Sequence, residues 1–179
     1  MIKKILLGLA AVFVVFLVLV AMQPSEYRVS RNTTISAPPA KVFPYVNEFT
    51  RWAAWNPWGK LDPAMKTTFS GPEGGSGAVY AWAGNSQVGE GRMTIIESET
   101  HERVRIQLEF FKPMAGVSVS EFTFKPDGDG SLVTWTMAGT NNFMGKAFCL
   151  FMNMDKMVGG DFEQGLADLK TAVEANADE

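Results

Sequence analysis

One cysteine, Cys149, and one histidine, His101, stand in a chain of 179 residues. A lone cysteine excludes an internal disulfide, so the folded part must rest on its apolar core. The same scarcity leaves no Ser-His-Asp triad with internal support and no His-rich zinc site, and neither metal nor cofactor is expected. Clustered basic charge is missing too. Setting Lys3 and Lys4 aside, the sixteen basic residues become fourteen against nineteen acidic ones, which leaves the remainder at about −5. A nucleic-acid partner is therefore not expected. Low-complexity stretches and clear repeats are also lacking, and a single domain is the simplest organisation.

What the chain does have is an uninterrupted apolar run from Ile5 to Met22, preceded by Lys3 and Lys4. Its eighteen residues would span about 27 Å as a helix, close to the ~30 Å hydrocarbon core of a bilayer. The two lysines favour a cytoplasmic N-terminus, so a single-pass anchor would place the rest of the chain outside the cytoplasm. A cleaved signal peptide has a similar pattern, but this run exceeds a usual apolar region and Leu19-Val20-Ala21 is a poor cleavage site. Residues 1–24 are thus read as an anchor or signal peptide and 25–179 as the domain.

The order of elements after the anchor can be read from period and punctuation. Tyr27 to Ser36 is strand-like, and Ala37-Pro38-Pro39 opens a helix to about Glu48 with Val42, Phe43, Val46 and Phe49 on one face. A second helical turn is expected near Thr50 to Ala54. Between Met65 and Gly139 six runs read as strands, separated by turn-formers such as Gly71-Pro72-Glu73-Gly74-Gly75 and Asp127-Gly128-Asp129-Gly130. Short connections imply an antiparallel meander. After Asn141 the period becomes helical to about Glu174, with Phe148, Phe151, Asp155, Val158, Phe162, Leu166 and Leu169 on one stripe. Gly159-Gly160 inside that stripe points to a bend or to a close approach by another backbone, and such a gap could also admit a ligand.

Strand, two short helices, six-stranded meander and long C-terminal helix together resemble the helix-grip fold of the START-like superfamily. Thr34-Ile-Ser-Ala-Pro-Pro-Ala-Lys-Val-Phe43, followed by Trp52 and Trp55-Asn56-Pro57-Trp58, is similar to the opening of the polyketide cyclase/dehydrase-like (SRPBCC) proteins. Gly77 with Trp82, Met93-Thr94-Ile95, Phe110 to Pro113 and Thr134-Trp135 extend the likeness from Tyr27 to about Ala175. The resemblance implies an α+β fold in which a curved antiparallel sheet of about seven strands wraps the last helix, with a cavity between them suited to a hydrophobic small molecule. Lipid carriers, plant-allergen-type binders, aromatic polyketide cyclases and regulators of a chaperone ATPase share that fold, so no single reaction is implied.

Among candidate site residues, Asp155 interrupts the apolar stripe of the last helix and needs either a partner or a raised pKa. A ligand, a tryptophan indole or a nearby lysine or arginine could supply the partner. Trp52, Trp55, Trp58, Trp82 and Trp135 could line a pocket or pack the core, with the first three favoured as a rim. Phe110, Phe151 and Met152 complete the set of candidate ligand contacts. His101 reads as a turn residue, Asp127 to Gly130 as a hairpin rather than a calcium loop, and Cys149 as inert packing. The preferred function is a membrane-anchored extracytoplasmic binder of a hydrophobic small molecule or lipid. An enzyme of cyclase or dehydratase type using Asp155 or another cavity carboxylate, and a protein-interaction module, are the alternatives.

Overall fold

The computed structural model describes residues 2–176. Helix α1 (Ile2–Met22) leads into strand β1 (Glu26–Ile35) and helix α2 (Pro39–Asn47). Two 3-10 turns (Phe49–Ala54 and Pro57–Lys60) and six strands follow: β2 (Lys66–Ser70), β3 (Val79–Ala83), β4 (Glu90–Glu99), β5 (Arg103–Lys112), β6 (Gly116–Asp127) and β7 (Gly130–Thr140). Helices α3 (Phe143–Cys149) and α4 (Met154–Glu174) end the chain. The strands form one seven-stranded antiparallel sheet in the order β1-β7-β6-β5-β4-β3-β2. With α4 laid along it, this is the helix-grip α+β architecture.

Alternation explains which face is dry. On β5, Val104 and Ile106 are fully buried while Arg103 and Arg105 keep partial exposure and pair with acidic neighbours. Register carries that face across the sheet through Val104 opposite Phe122 and Phe122 opposite Trp135. The turn chemistry also fits: Asp127 pairs with Gly130, and Gly128 between them takes a left-handed φ of 58° that favours glycine. His101 occupies the β4–β5 turn, also at positive φ, with its ring edge on Phe43.

The sheet has two ends, and they are built differently. At the far end Ile35 pairs with Ser131, and α2 covers the dry face with Val42, Phe43 and Val46. Pro39 opens α2 at a position where a missing N–H is harmless. At the other end Glu26 pairs with Thr140 and Phe110 with Gly116, so the start of β1, the end of β7 and the β5–β6 tip lie together. Helix α1 joins there through only Gln23, Pro24 and Ser25, and this is called the anchor end below. Helix α1 is long and apolar enough to cross a membrane.

One difference from the sequence reading concerns the C-terminal helix. It is two helices, broken at Leu150 to Asn153, because each segment has its own N-cap. Asn142 accepts from the Gly145 N–H at 2.9 Å, and Asn153 accepts from the Lys156 N–H at 3.1 Å. Helix α4 then buries Phe162, Leu166, Leu169 and Val173, whereas α3 buries none of its residues and packs on α1.

Candidate ligand-binding site

The dry face of the sheet and the helices over it form two contrasting halves. Towards the far end the space is filled by aromatic rings around Trp135. Its indole stacks on Phe162 with centroids 3.9 Å apart and planes 8° from parallel. Phe122 stacks on it at 4.8 Å, while Trp55 and Trp58 meet it edge-on at 5.7 and 5.9 Å. Gly165 on α4 permits this approach, since a Cβ there would lie 2.9 Å from the Trp135 ring.

The five tryptophans all have internal partners for their N–H groups. Trp52 donates to the Val46 carbonyl and Trp55 to the Tyr45 carbonyl, both at 2.9 Å. Trp58 donates to Asp161 Oδ2, Trp82 to the Val88 carbonyl and Trp135 to Ser120 Oγ. Trp52 and Trp55 are 2% and 0% exposed, so they form a plug inside the grip rather than a rim. Trp58 is only partly enclosed, between the plug and α4.

Towards the anchor end the lining mixes aromatic rings with methionine, leucine and serine. Register places Tyr27, Met137, Ser118, Leu108, Phe110, Met93 and Trp82 on the same face as the plug. Trp82 and Phe110 meet edge-on at 5.9 Å, over Gly91, where a Cβ would strike the indole. Ser118 is 2% exposed, and its Oγ has no hydrogen-bond partner. Its neighbours across the strands are Leu108 and Gly139, and the Tyr27 ring crosses the space a side chain on Gly139 would need. An unpaired buried hydroxyl costs about 1–3 kcal/mol relative to a paired one, so it is a directional handle within an apolar wall.

Sequence reading missed Ser118, Ser120 and Met137. No sequence signal marks the serines: alternation in Val117-Ser118-Val119-Ser120 would turn the valines inward, yet the serines are buried and Val117 is exposed. Phe151 and Met152 lie in the α3–α4 connection, 80% and 43% exposed.

Asp155 is the first acidic residue of α4, and its partner is Arg31 of β1. Arg31 Nη1 and Nη2 reach its two carboxylate oxygens at 2.9 and 3.1 Å, and Arg31 Nε reaches Glu163 at 2.6 Å. The hydrogen bond from Arg31, assisted by its charge, holds the Asp155 carboxyl below the usual carboxylate range, and the two carboxylates raise Arg31 in turn. Gly159 makes room for this arrangement, because a Cβ there would collide with the guanidinium. Arg31 is the one charged side chain that the strands contribute to the dry face among the described residues. A carboxylate kept ionised in this way is a poor proton donor near neutral pH.

Two surface pockets lie elsewhere. One of about 120 Å³ is bounded by Phe49, Phe69 and the Gly71 turn, and another of about 330 Å³ by Lys41, Tyr45, Arg51, Val173 and Asn176. No tryptophan lines either. Among the described residues, no three His, Cys, Asp or Glu side chains gather as a metal site would require.

The sheet, the last helix and their apolar interior define a helix-grip protein. The chain belongs to the family described as polyketide cyclase / dehydrase and lipid transport, whose model matches residues 26–174. That description points to hydrophobic ligand binding. Among solved structures, the chain is similar to a protein of Chromobacterium violaceum at 16% identity and TM-score 0.60, with 82% of this chain and 96% of that one covered. Ara h 8.0201 aligns at 15% identity and TM-score 0.55, covering 85% and 97%. The Aha1 dimer from Colwellia psychrerythraea aligns at 16% and 0.59, covering 83% and 96%. These likenesses show a shared fold. Among curated proteins none matches.

Proposed function

We propose that the protein is a membrane-anchored binder of a hydrophobic molecule, held at the anchor end of the grip. Residues 1–24 serve as the anchor and 25–179 as the binding domain, outside the cytoplasm as Lys3 and Lys4 favour. One observation carries the reading: α1 joins the domain at the end of the sheet where the tryptophan plug gives way to Met137, Leu108, Phe110 and Trp82 around the unpaired Ser118 hydroxyl. Apolar side chains would take a chain or ring system, and Ser118 would fix one polar group, the usual division of labour in a small-molecule site. Trp52, Trp55, Trp58 and Trp135 back the site by closing its inner limit. Phe151 and Met152 lie on the path in from the bilayer.

The test is native mass spectrometry of the full chain extracted from membranes in mild detergent. Retention of an apolar molecule, reduced by Leu108→Trp, which fills the space, is the expected result. A chain that carries nothing, and that takes up no phospholipid or fatty acid when these are offered, would exclude the reading.

A further inference from the structure

Helix α1 does more than tether the domain, because it makes side-chain contact with it. Phe16, Leu17 and Val20 are the residues of α1 that the rest of the chain covers, Val20 completely. They meet α3 and the connection after it, where the rings of Phe16 and Phe151 stack at 6.5 Å and 25°. Phe16 lies six residues before Met22, which is about 9 Å along a helix axis. If α1 spans the bilayer with Met22 near its surface, whatever touches Phe16 is within the hydrocarbon. Phe151 is 80% exposed even with Phe16 against it, so its remaining surface also faces that medium.

The rest of the anchor end has the same character. Among the described residues outside α1, twelve large apolar side chains are exposed, and all but Leu61, Phe69 and Ile96 lie on the β5–β6 tip, α3, or the first turn of α4 and the connection before it. Phe111, Met114 and Val117 form the tip, 51–58% exposed. Phe143 and Met144 open α3 at 47% and 66%. Strand register sets the tip and the start of α3 at one end of the sheet, with β6 and β7 between them at about 5 Å per strand. A concentration of this kind at one end marks an interaction surface.

We propose that α3 and the β5–β6 tip form a two-point seat that inserts into the outer leaflet of the bilayer crossed by α1. The anchor end of the grip is thereby pressed against the lipid. The occupant is a lipid surface because α1 is continuous with the patch and the Phe16–Phe151 contact sets its depth. This inference rests on α1 being a membrane anchor. It adds that the domain lies on the membrane in one orientation, with the anchor-end residues of its dry face between two inserted elements, so that an apolar ligand would enter from lipid without crossing water.

The experiment uses the full chain with Cys149→Ser, reconstituted in phosphatidylcholine vesicles containing one-fifth phosphatidylglycerol. Single cysteines at Met114, Met144, Leu61 and Val12 carry an environment-sensitive fluorophore. Nitroxide-labelled phospholipids quench from the bilayer and iodide quenches from water. Met114 and Met144 probes should lose most of their emission to the lipid nitroxide and resist iodide, as Val12 should, while Leu61 behaves in the opposite way. Lipid quenching at Val12 but iodide quenching at Met114 and Met144 would overturn the seat and leave the anchor standing. Failure at Val12 as well would overturn both. Protection of Met114 and Met144 from both quenchers would show that protein, a second copy or a partner, covers the patch, and would also overturn it.

Discussion

The two halves of the grip are built from the same strands yet follow opposite packing rules. At the far end, four rings meet around Trp135 with every indole N–H paired. Shape and hydrogen bonding are both satisfied, so this half is a structural core. At the anchor end, Met137, Met93, Leu108 and Ser118 stand among the rings of Tyr27, Trp82 and Phe110, one hydroxyl lacks a partner and large apolar side chains face outward. The difference teaches that stability and recognition are divided along the strands: β6 contributes Phe122 and Phe124 to the core and Ser118 and Ser120 to the softer half. Ser120 bridges them, since its Oγ accepts the Trp135 N–H at 2.7 Å.

The largest effect should come from breaking the plug. Trp135→Ala removes the ring at its centre and should cost about 3–5 kcal/mol, lowering the thermal midpoint by roughly 10 °C or more. A melt of the full chain in detergent reads this directly. Leu108→Ala, a deletion in the half-exposed softer half, should cost less than half as much, and equal costs would erase the proposed division.

Next in size is the close approach at Gly159. Gly159→Ala should destabilise by about 1–3 kcal/mol because the added methyl displaces Arg31. In an Arg31→Ala background the same change should become neutral or stabilising, by up to about 1 kcal/mol, since alanine is the better helix former. Denaturant titrations of the four chains measure this sign reversal.

The serines sharpen the comparison further. Ser120→Ala strands the Trp135 N–H in the core and should cost about 1–3 kcal/mol, whereas Ser118→Ala removes a hydroxyl that has no partner and should be close to neutral. Retention of apolar ligand should respond in the other order, falling with Ser118→Ala and changing little with Ser120→Ala.

The smallest effect is the pH dependence of the Arg31–Asp155 pair. Asp155 has a depressed pKa in the folded chain. Its contribution is therefore present above the unfolded carboxylate value of about 3.9 and is lost as pH falls through the lower folded value. Arg31→Gln should consequently differ in midpoint from the parent at pH 7 and converge with it well below pH 4.

Most of the fold could be read from the sequence because its signals are local. Turn-forming residues mark the hairpins other than the β4–β5 turn at His101, and β1 to β7 lie within about two residues of the runs between them. The α3–α4 break was harder to see, because Phe148, Phe151 and Asp155 keep helical spacing across it. Asn153 was the cue, a capping residue inside an apolar stretch. Asp155 was legible as a charge needing a partner, but not which one, since Arg31 lies 124 residues away and reaches it only through β1 and the gap at Gly159. Tryptophan placement was also non-local. Nothing in the spacing of Trp52 and Trp55 says that Phe122 and Trp135 will pack against them.

The most direct test of the account is to map where lipid enters the grip. The full chain would be placed in nanodiscs containing a diazirine-bearing phospholipid, irradiated and digested, and the modified peptides identified. The account predicts adducts on Leu108, Phe110, Ser118 and Met137 in addition to α1, with none on Trp52, Trp55 or Phe122. Adducts confined to α1 would contradict it.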